Sequence, residues 1–257
     1  MNAPKDELHR RVDDFAVRSF RDMADGDYIA ARLACRAELL PQFLWSAQQA
    51  LEKYLKYILL VNRIPAKNVN HDILKALSLT SQLPFNVELG LRSREFIDHV
   101  ATYGPDRYLG VSYFVEGPAL FDLDMTIWGL RRYCQVLDVF GKDLPIVEKQ
   151  MLEKALALLK GSNPKRPLEF HLPGGVLENI LSSKVHPARR ALVWQNAFFG
   201  KRKRSRINAR MFMHGAISPL TLYPDMVDEL TNYVYVSREK EWRRHLEEVT
   251  KDPSLRL

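Results

Sequence analysis

The chain contains few cysteines and no long apolar run. Its 257 residues include two cysteines, Cys35 and Cys134, and both lie in apolar helical patterns. Two thiols exclude a disulfide framework and a cysteine-rich zinc cluster. The N-terminal stretch MNAPKDELHRRVDDF is charged and lacks the apolar segment of a signal peptide. The longest apolar stretches are also too short for a membrane span. We therefore expect a cytoplasmic protein without a membrane partner.

Several short motifs of catalysis and cofactor binding are missing as well. Neither GxGxxG nor GxxxxGK[ST] is present in a suitable context, so no dinucleotide site and no P-loop are indicated. HExxH, HxxxH, paired CxxC and GxSxG are also missing. We therefore expect no cofactor and no metal site built by the protein. Any chemistry must depend on Arg, His, Lys, Tyr and Glu side chains.

The basic excess of the chain lies entirely in its last third. Residues 1–160 contain 21 Lys and Arg against 21 Asp and Glu, whereas residues 161–257 contain 17 against 10, which accounts for the net charge of +7. This asymmetry predicts a domain over residues 1–160 and a basic C-terminal region over residues 161–257. A polyanion is a plausible partner of the second region. The alternative is a solvated basic face that has no specific partner.

Apolar residues recur at helical spacing through most of residues 1–160. The pattern predicts a polar lead-in helix over residues 1–24 and a short helix that begins at His71, together with longer helices over about 27–40, 41–62, 87–102, 120–140 and 146–160. Asp27 and Asn70 are the expected N-caps of the first core helix and the short helix, because such side chains accept hydrogen bonds from free backbone N–H groups. We therefore predict an all-α fold, an antiparallel bundle of four to five helices with a mostly helical basic C-terminal extension of uncertain fold. In that extension, TNYVYV is compatible with either a helix or a strand.

Four segments of this pattern resemble the HEPN superfamily (higher eukaryotes and prokaryotes nucleotide-binding domain). DYIAARLAC (27–35) is similar to the first core helix of that family, and FLWSAQQALEKYLKYILL (43–60) is similar to the second. HDILKAL (71–77) resembles the start of the third helix, and YGPDRY (103–108) resembles a Tyr-x-x-x-Arg-Tyr element. The family usually has a proline after that element, where this chain has Leu109. The resemblance extends over residues 27–140 and implies a helical bundle, usually a homodimer, that binds nucleotides or RNA.

The resemblance also implies which residues bind the nucleotide or RNA. The expected set combines a polar stripe on the second helix with the start of the third helix and the turn near residue 105: Gln48, Glu52, Lys53, Lys56, His71, Tyr103, Arg107 and Tyr108. The alternative for the stripe is an intrahelical Glu52–Lys56 pair among solvated neighbours. His71 can instead hold the preceding loop. Arg107 can instead pack between the two tyrosine rings.

Some HEPN proteins are metal-independent endoribonucleases that use an Arg-x(4–6)-His motif. Arg94 and His99 fit this spacing and are the predicted catalytic pair, and Arg92 with His99 also fits. Histidine can accept the proton of a ribose hydroxyl, and arginine can stabilise the phosphorane charge. This chain has Glu95 directly after Arg94, where nuclease members usually have Asn, His or Asp. Two residues after His99 it has Ala101, where those members often have a tyrosine. An Arg and a His on a half-exposed helix face, without catalysis, are the alternative.

The stretch FFGKRKRSRINAR (198–210) is the densest basic segment of the C-terminal region. It supplies candidate contacts to the phosphate backbone: Lys201, Arg202, Lys203, Arg204 and Arg206. Phe198 and Phe199 can stack on bases or belong to the core. Three hypotheses follow: a HEPN-type nucleotide- or RNA-binding protein, a metal-independent endoribonuclease of toxin or defence type, and a non-catalytic module that docks a protein partner. A nucleotidyltransferase-type protein is one such partner in the family.

Overall fold

The computed structural model describes residues 3–83, 85–106, 109–135, 153, 157, 167–200, 213–236 and 238–251. Helices dominate these residues, which confirms the predicted all-α fold. The helices of the first part are α1 (Ala3–Ala16), α2 (Asp22–Arg36), α3 (Leu40–Val61), α4 (Ile73–Leu79), α5 (Leu91–Tyr103) and α6 (Ala119–Arg131). Those of the C-terminal part are α7 (Val176–Ser182), α8 (Arg189–Val193), α9 (Pro219–Leu222), α10 (Val227–Leu230) and α11 (Glu239–Lys251). In the described part of the chain, no helix is both long enough and apolar enough to cross a membrane.

Helices α1 and α2 are continuous, because a π-helical turn over Val17–Arg21 joins them. The prediction that Asp27 caps the first core helix is therefore wrong. Helix α2 begins at Asp22 and continues through Gly26, where the burial of Ala24 and Tyr28 against the core outweighs the weak helix propensity of glycine. Asp27 instead forms an ion pair with Lys53 on α3.

Helix α3 is the central element of the bundle. Its predicted bounds are confirmed to within one residue, and Pro41 lies in its first turn, where the missing N–H costs nothing. Ala47, Leu51, Leu55 and Ile58 are fully buried along one stripe. Full burial of a leucine or isoleucine side chain stabilises a fold by about 1.5–3 kcal/mol. This stripe is therefore a main source of stability.

The short helix α4 begins at Ile73, and its cap is Asp72 rather than the predicted Asn70. The Asp72 carboxylate accepts a hydrogen bond from the Lys75 backbone N–H at 2.9 Å. Asn70 has a φ of 51°, which places it in the turn before the helix. The predicted helix over 87–102 begins later, at Leu91, and ends at Tyr103, with Gly104 as its C-cap.

A two-stranded antiparallel sheet was not predicted. Strand β1 (Tyr113–Glu116) pairs with β2 (Met213–Ala216), and Phe114 lies opposite Gly215. Each strand has only four residues, too few to show a clear alternation of apolar and polar side chains. The two strands are also about 100 positions apart in the sequence, so no local pattern predicts their pairing. TNYVYV, compatible with a strand by its pattern, forms turns and irregular backbone.

Two buried polar networks join residues 167–200 to the bundle. In the first, Arg131 on α6 donates two hydrogen bonds to Asp25 on α2, both at 2.8 Å, and two to Glu178 on α7, both at 2.9 Å. The Tyr54 hydroxyl donates to the same Asp25 carboxylate. Arg131 and Asp25 are fully buried, so each charge depends on the other for compensation.

The second network lies at the other side of α2. Arg32 forms a buried ion pair with Asp124 on α6 and donates to the Ala191 carbonyl at 2.9 Å. The Tyr28 hydroxyl donates to Asp124 at 2.6 Å and accepts from the Asn196 amide at 2.9 Å. Residues 167–200 therefore pack against the same core as the bundle, while Leu220, Val227 and Val236 form a smaller apolar cluster of their own.

Candidate functional site

One face of α5 carries a set of polar and aromatic side chains. Arg92, Glu95, Phe96 and His99 are spaced i, i+3, i+4 and i+7, which places them on the same side of a helix. All four line one pocket of about 600 Å³. A volume of this size is in the range of pockets that bind small molecules or single bases.

The other walls of this pocket come from α3, β1 and the start of α6. Phe43 on α3 and Phe114 and Val115 on β1 supply apolar surface, and Asp122 on α6 supplies a carboxylate. Phe114 is 45% exposed, although it lies among aromatic side chains. Pairing of β1 with β2 fixes the strand that carries this ring. We call this the His99 pocket.

His99 is half-buried, and its ring contacts two aromatic rings. The ring centroids of His99 and Tyr103 are 4.8 Å apart, and those of His99 and Phe114 are 6.1 Å apart. The Nε2 atom is buried and has no hydrogen-bond partner among the residues that the structure describes. Burial lowers the pKa of His99 from its ordinary value, so the neutral imidazole is favoured at neutral pH.

Arg92 contributes the positive charge of the His99 pocket. Its guanidinium pairs with Asp122, one of the two contacts being at 3.2 Å, and lies 5.4 Å from the centre of the Phe121 ring. Burial raises the pKa of Asp122, the nearby Glu95 raises it further, and Arg92 opposes both effects. The Arg92 side chain is 48% exposed, so its ion pair with Asp122 stabilises the fold by only about 0–1 kcal/mol. Arg92 can therefore leave Asp122 to bind a ligand.

The structure does not bring Arg94 to this pocket. Arg94 is exposed, donates to the Leu89 carbonyl at 3.2 Å and lines a separate pocket of about 520 Å³ with Ser78 and Ser81. Of the two arginines that fit the spacing, Arg92 is therefore the one that shares a pocket with His99.

The structure brings part of the polar stripe of α3 together with His71, whose own side chain is exposed. Gln48 and Glu52 are buried. Glu52 accepts from Lys56 at 2.6 Å and contacts the His71 ring at 3.1 Å, while Gln48 donates to the His71 carbonyl at 3.3 Å. These contacts hold the turn before α4 against α3. A structural role follows from them, and the nucleotide-binding role of Gln48, Glu52, Lys53, Lys56 and His71 stays a prediction.

The remaining predicted site residues divide into two groups. Tyr103 lies at the end of α5 against His99. The others lie outside the described residues: Arg107, Tyr108, Lys201, Arg202, Lys203, Arg204 and Arg206. Phe198 and Phe199, for which stacking on bases was one option, are buried in the core, where Phe198 packs on Trp128 with a centroid distance of 5.8 Å.

Sequence reasoning missed most of the lining of the His99 pocket, including Glu95 and Phe96 on α5 and Phe43, Phe114 and Asp122 on other elements. The helical spacing of Arg92, Glu95, Phe96 and His99 was a usable signal for the α5 wall. No comparable signal existed for the side chains on other elements. Where side chains are described, no group of three His, Cys, Asp or Glu residues is arranged to hold a metal ion.

Part of the chain matches the model of a known family. The family model of the HEPN domain matches residues 17–113, a segment that begins at the π-helical turn after α1 and includes all of α2 to α5 and the first residue of β1. No curated protein and no solved structure matches the chain. A HEPN domain supports a role that involves nucleotides or RNA in general.

Proposed function

Because the HEPN family model matches residues 17–113, we propose that the protein binds single-stranded RNA, with one unstacked base in the His99 pocket. The single observation that carries this proposal is the pocket itself, which combines aromatic surface with polar groups that are free to bind. The homodimer that the family resemblance implies is retained as part of the proposal.

The aromatic lining supports a base as the bound group. Single-stranded nucleic acids are bound by stacking bases on aromatic side chains and by hydrogen bonds to their edges. Phe114 offers an exposed ring face beside His99 and Tyr103. The half-buried His99 ring adds a polar side chain to the same lining, although its Nε2 atom is buried.

The charge of the chain supports contacts to phosphates outside the pocket. The basic excess lies after residue 160, and the segment with Lys201, Arg202, Lys203, Arg204 and Arg206 is its densest part. We assign the phosphate contacts to this region on the basis of the sequence alone. Phosphate contacts make affinity depend strongly on salt, with a slope of about 0.7 per phosphate for single strands.

Replacing Phe114 with alanine is expected to weaken the binding of a single-stranded oligonucleotide. Loss of one stacking contact corresponds to about 1–3 kcal/mol, which is roughly a five- to 150-fold rise in Kd. Filter binding or fluorescence anisotropy at low salt measures this change. Phe15→Ala is a matched control, because Phe15 is also an exposed phenylalanine but does not line the pocket.

Two results would count against this proposal. The first is an absence of RNA affinity at low salt in the unmodified protein. The second is RNA affinity that falls equally in Phe114→Ala and Phe15→Ala, because the pocket would then have no special role.

A metal-independent endoribonuclease is the second candidate, and the shared pocket of Arg92 and His99 favours it. The neutral His99 would take the proton of a ribose 2′-hydroxyl, whose oxygen then attacks the adjacent phosphorus. Arg92 would leave Asp122 and stabilise the charge on the phosphorane oxygens. The bond to the 5′-oxygen breaks, and that oxygen takes a proton from the imidazolium, directly or through water. RNA cleavage that persists in EDTA and needs both side chains tests this candidate.

A further inference from the structure

We infer that the His99 pocket selects guanine, and that Glu95 is the residue that recognises it. This inference rests on the proposed RNA binding and adds to it the identity of the bound base. The evidence is the pairing of the three charged side chains in the pocket: Arg92 and Asp122 form an ion pair, and Glu95 does not take part in it.

Glu95 is the carboxylate that is free to bind. Arg92 and Asp122 are paired with each other. Glu95 lines the same pocket but forms no hydrogen bond or ion pair with any residue in the described part of the chain. Because Glu95 is exposed at the pocket, its two oxygens remain available to a ligand.

A free carboxylate distinguishes guanine from the other bases by geometry. An ionised carboxylate offers two acceptor oxygens side by side and no donor. The Watson–Crick edge of guanine presents two adjacent donors, N1–H and the N2 amino group. Adenine and cytosine present one amino donor beside an acceptor nitrogen, and uracil presents one N–H between two carbonyls. Guanine alone therefore satisfies both oxygens without placing a lone pair against the carboxylate.

The balance of charge in the pocket also favours a base over a phosphate. Two carboxylates, Glu95 and Asp122, face one cation, Arg92, and burial keeps His99 largely neutral at neutral pH. While Arg92 is paired with Asp122, a phosphate group would meet the unpaired carboxylate of Glu95 and bind less well than a neutral base. A neutral base with two donors gains charge-assisted hydrogen bonds to Glu95 and an aromatic contact with Phe114.

The inference is tested with single-stranded oligouridines that contain one central guanosine, inosine, adenosine or cytidine. Inosine lacks only the N2 amino group. Guanosine is expected to bind about tenfold more tightly than inosine, adenosine or cytidine, as a lost bidentate contact predicts. Glu95→Gln is expected to remove this preference, because an amide offers one acceptor and one donor. Glu88→Gln, a change at an exposed glutamate in the second pocket, is expected to retain it.

Failure of the inference differs from failure of the proposed function. Equal affinity for the four oligonucleotides, unchanged in Glu95→Gln, would overturn guanine selection and leave RNA binding intact. No affinity for any oligonucleotide would contradict the proposed function itself. In that case, binding of 5′-GMP but not 5′-AMP, lost in Glu95→Gln, would support guanine recognition in a free nucleotide. Binding of neither would overturn the inference as well.

Discussion

Replacing Arg131 with methionine is expected to lower the free energy of unfolding by about 3–5 kcal/mol, because it leaves buried carboxylates without a counter-ion. Arg131 is fully buried and binds Asp25 through two hydrogen bonds of 2.8 Å. It also binds Glu178 on α7 through two bonds of 2.9 Å. A single substitution therefore removes the cation from two carboxylates at once. Urea denaturation followed by circular dichroism measures the loss.

Arg18→Met provides the matched control for this prediction. Arg18 and Asp14 form an exposed i, i+4 ion pair on the α1–α2 segment. Water screens an ion pair as exposed as this one, so the control is expected to be nearly as stable as the unmodified protein. Equal losses in Arg131→Met and Arg18→Met would show that the buried network does not stabilise the fold.

Removal of His99 or Arg92 is expected to abolish most of any RNA cleavage that the protein catalyses in EDTA. A general base contributes about 10²–10⁴-fold to a rate, so His99→Ala is expected to lower the cleavage rate constant by that factor. Loss of a group that stabilises developing charge costs about 10²–10³-fold, which is the expectation for Arg92→Gln. Single-turnover cleavage of a labelled RNA measures both effects.

Arg94→Gln separates the two arginine assignments. Arg94 lines a different pocket from His99, so its replacement is expected to change the cleavage rate constant by less than about threefold. A large loss in Arg94→Gln with a normal rate in Arg92→Gln would favour the pairing of Arg94 with His99. Absence of cleavage in the unmodified protein would remove the nuclease candidate and leave the RNA-binding proposal untouched.

The helices of the bundle could be predicted because their apolar spacing agrees with their burial. Helix α3 is the clearest example, since Leu51, Leu55 and Ile58 recur at helical spacing and are fully buried. The start of α2 could not be predicted from Asp27, because a good capping residue does not end a helix whose preceding turn is also packed against the core. Packing outweighs local capping preference in that position.

The candidate site was predictable only in part. Arg92 and Arg94 both fit the motif spacing, and only the rotation of α5 relative to its neighbours decides which one meets His99 in a pocket. Phe114 and Asp122 reach that pocket from β1 and α6, and the sequence contains no local pattern that relates these elements to α5. For the stripe of Gln48, Glu52 and Lys56, the polar pattern on the helix did not reveal the contacts that these side chains make with the loop before α4.

Histidine ring signals in NMR spectra test RNA binding in the His99 pocket most directly. The chain has seven histidines, and the spectrum of His99→Gln assigns the signal of His99. On titration with a single-stranded RNA that contains guanosine, the His99 signal is expected to shift, while those of His186 and His245, which do not line the pocket, stay in place. An unchanged His99 signal at a concentration of RNA that saturates the protein would contradict the account.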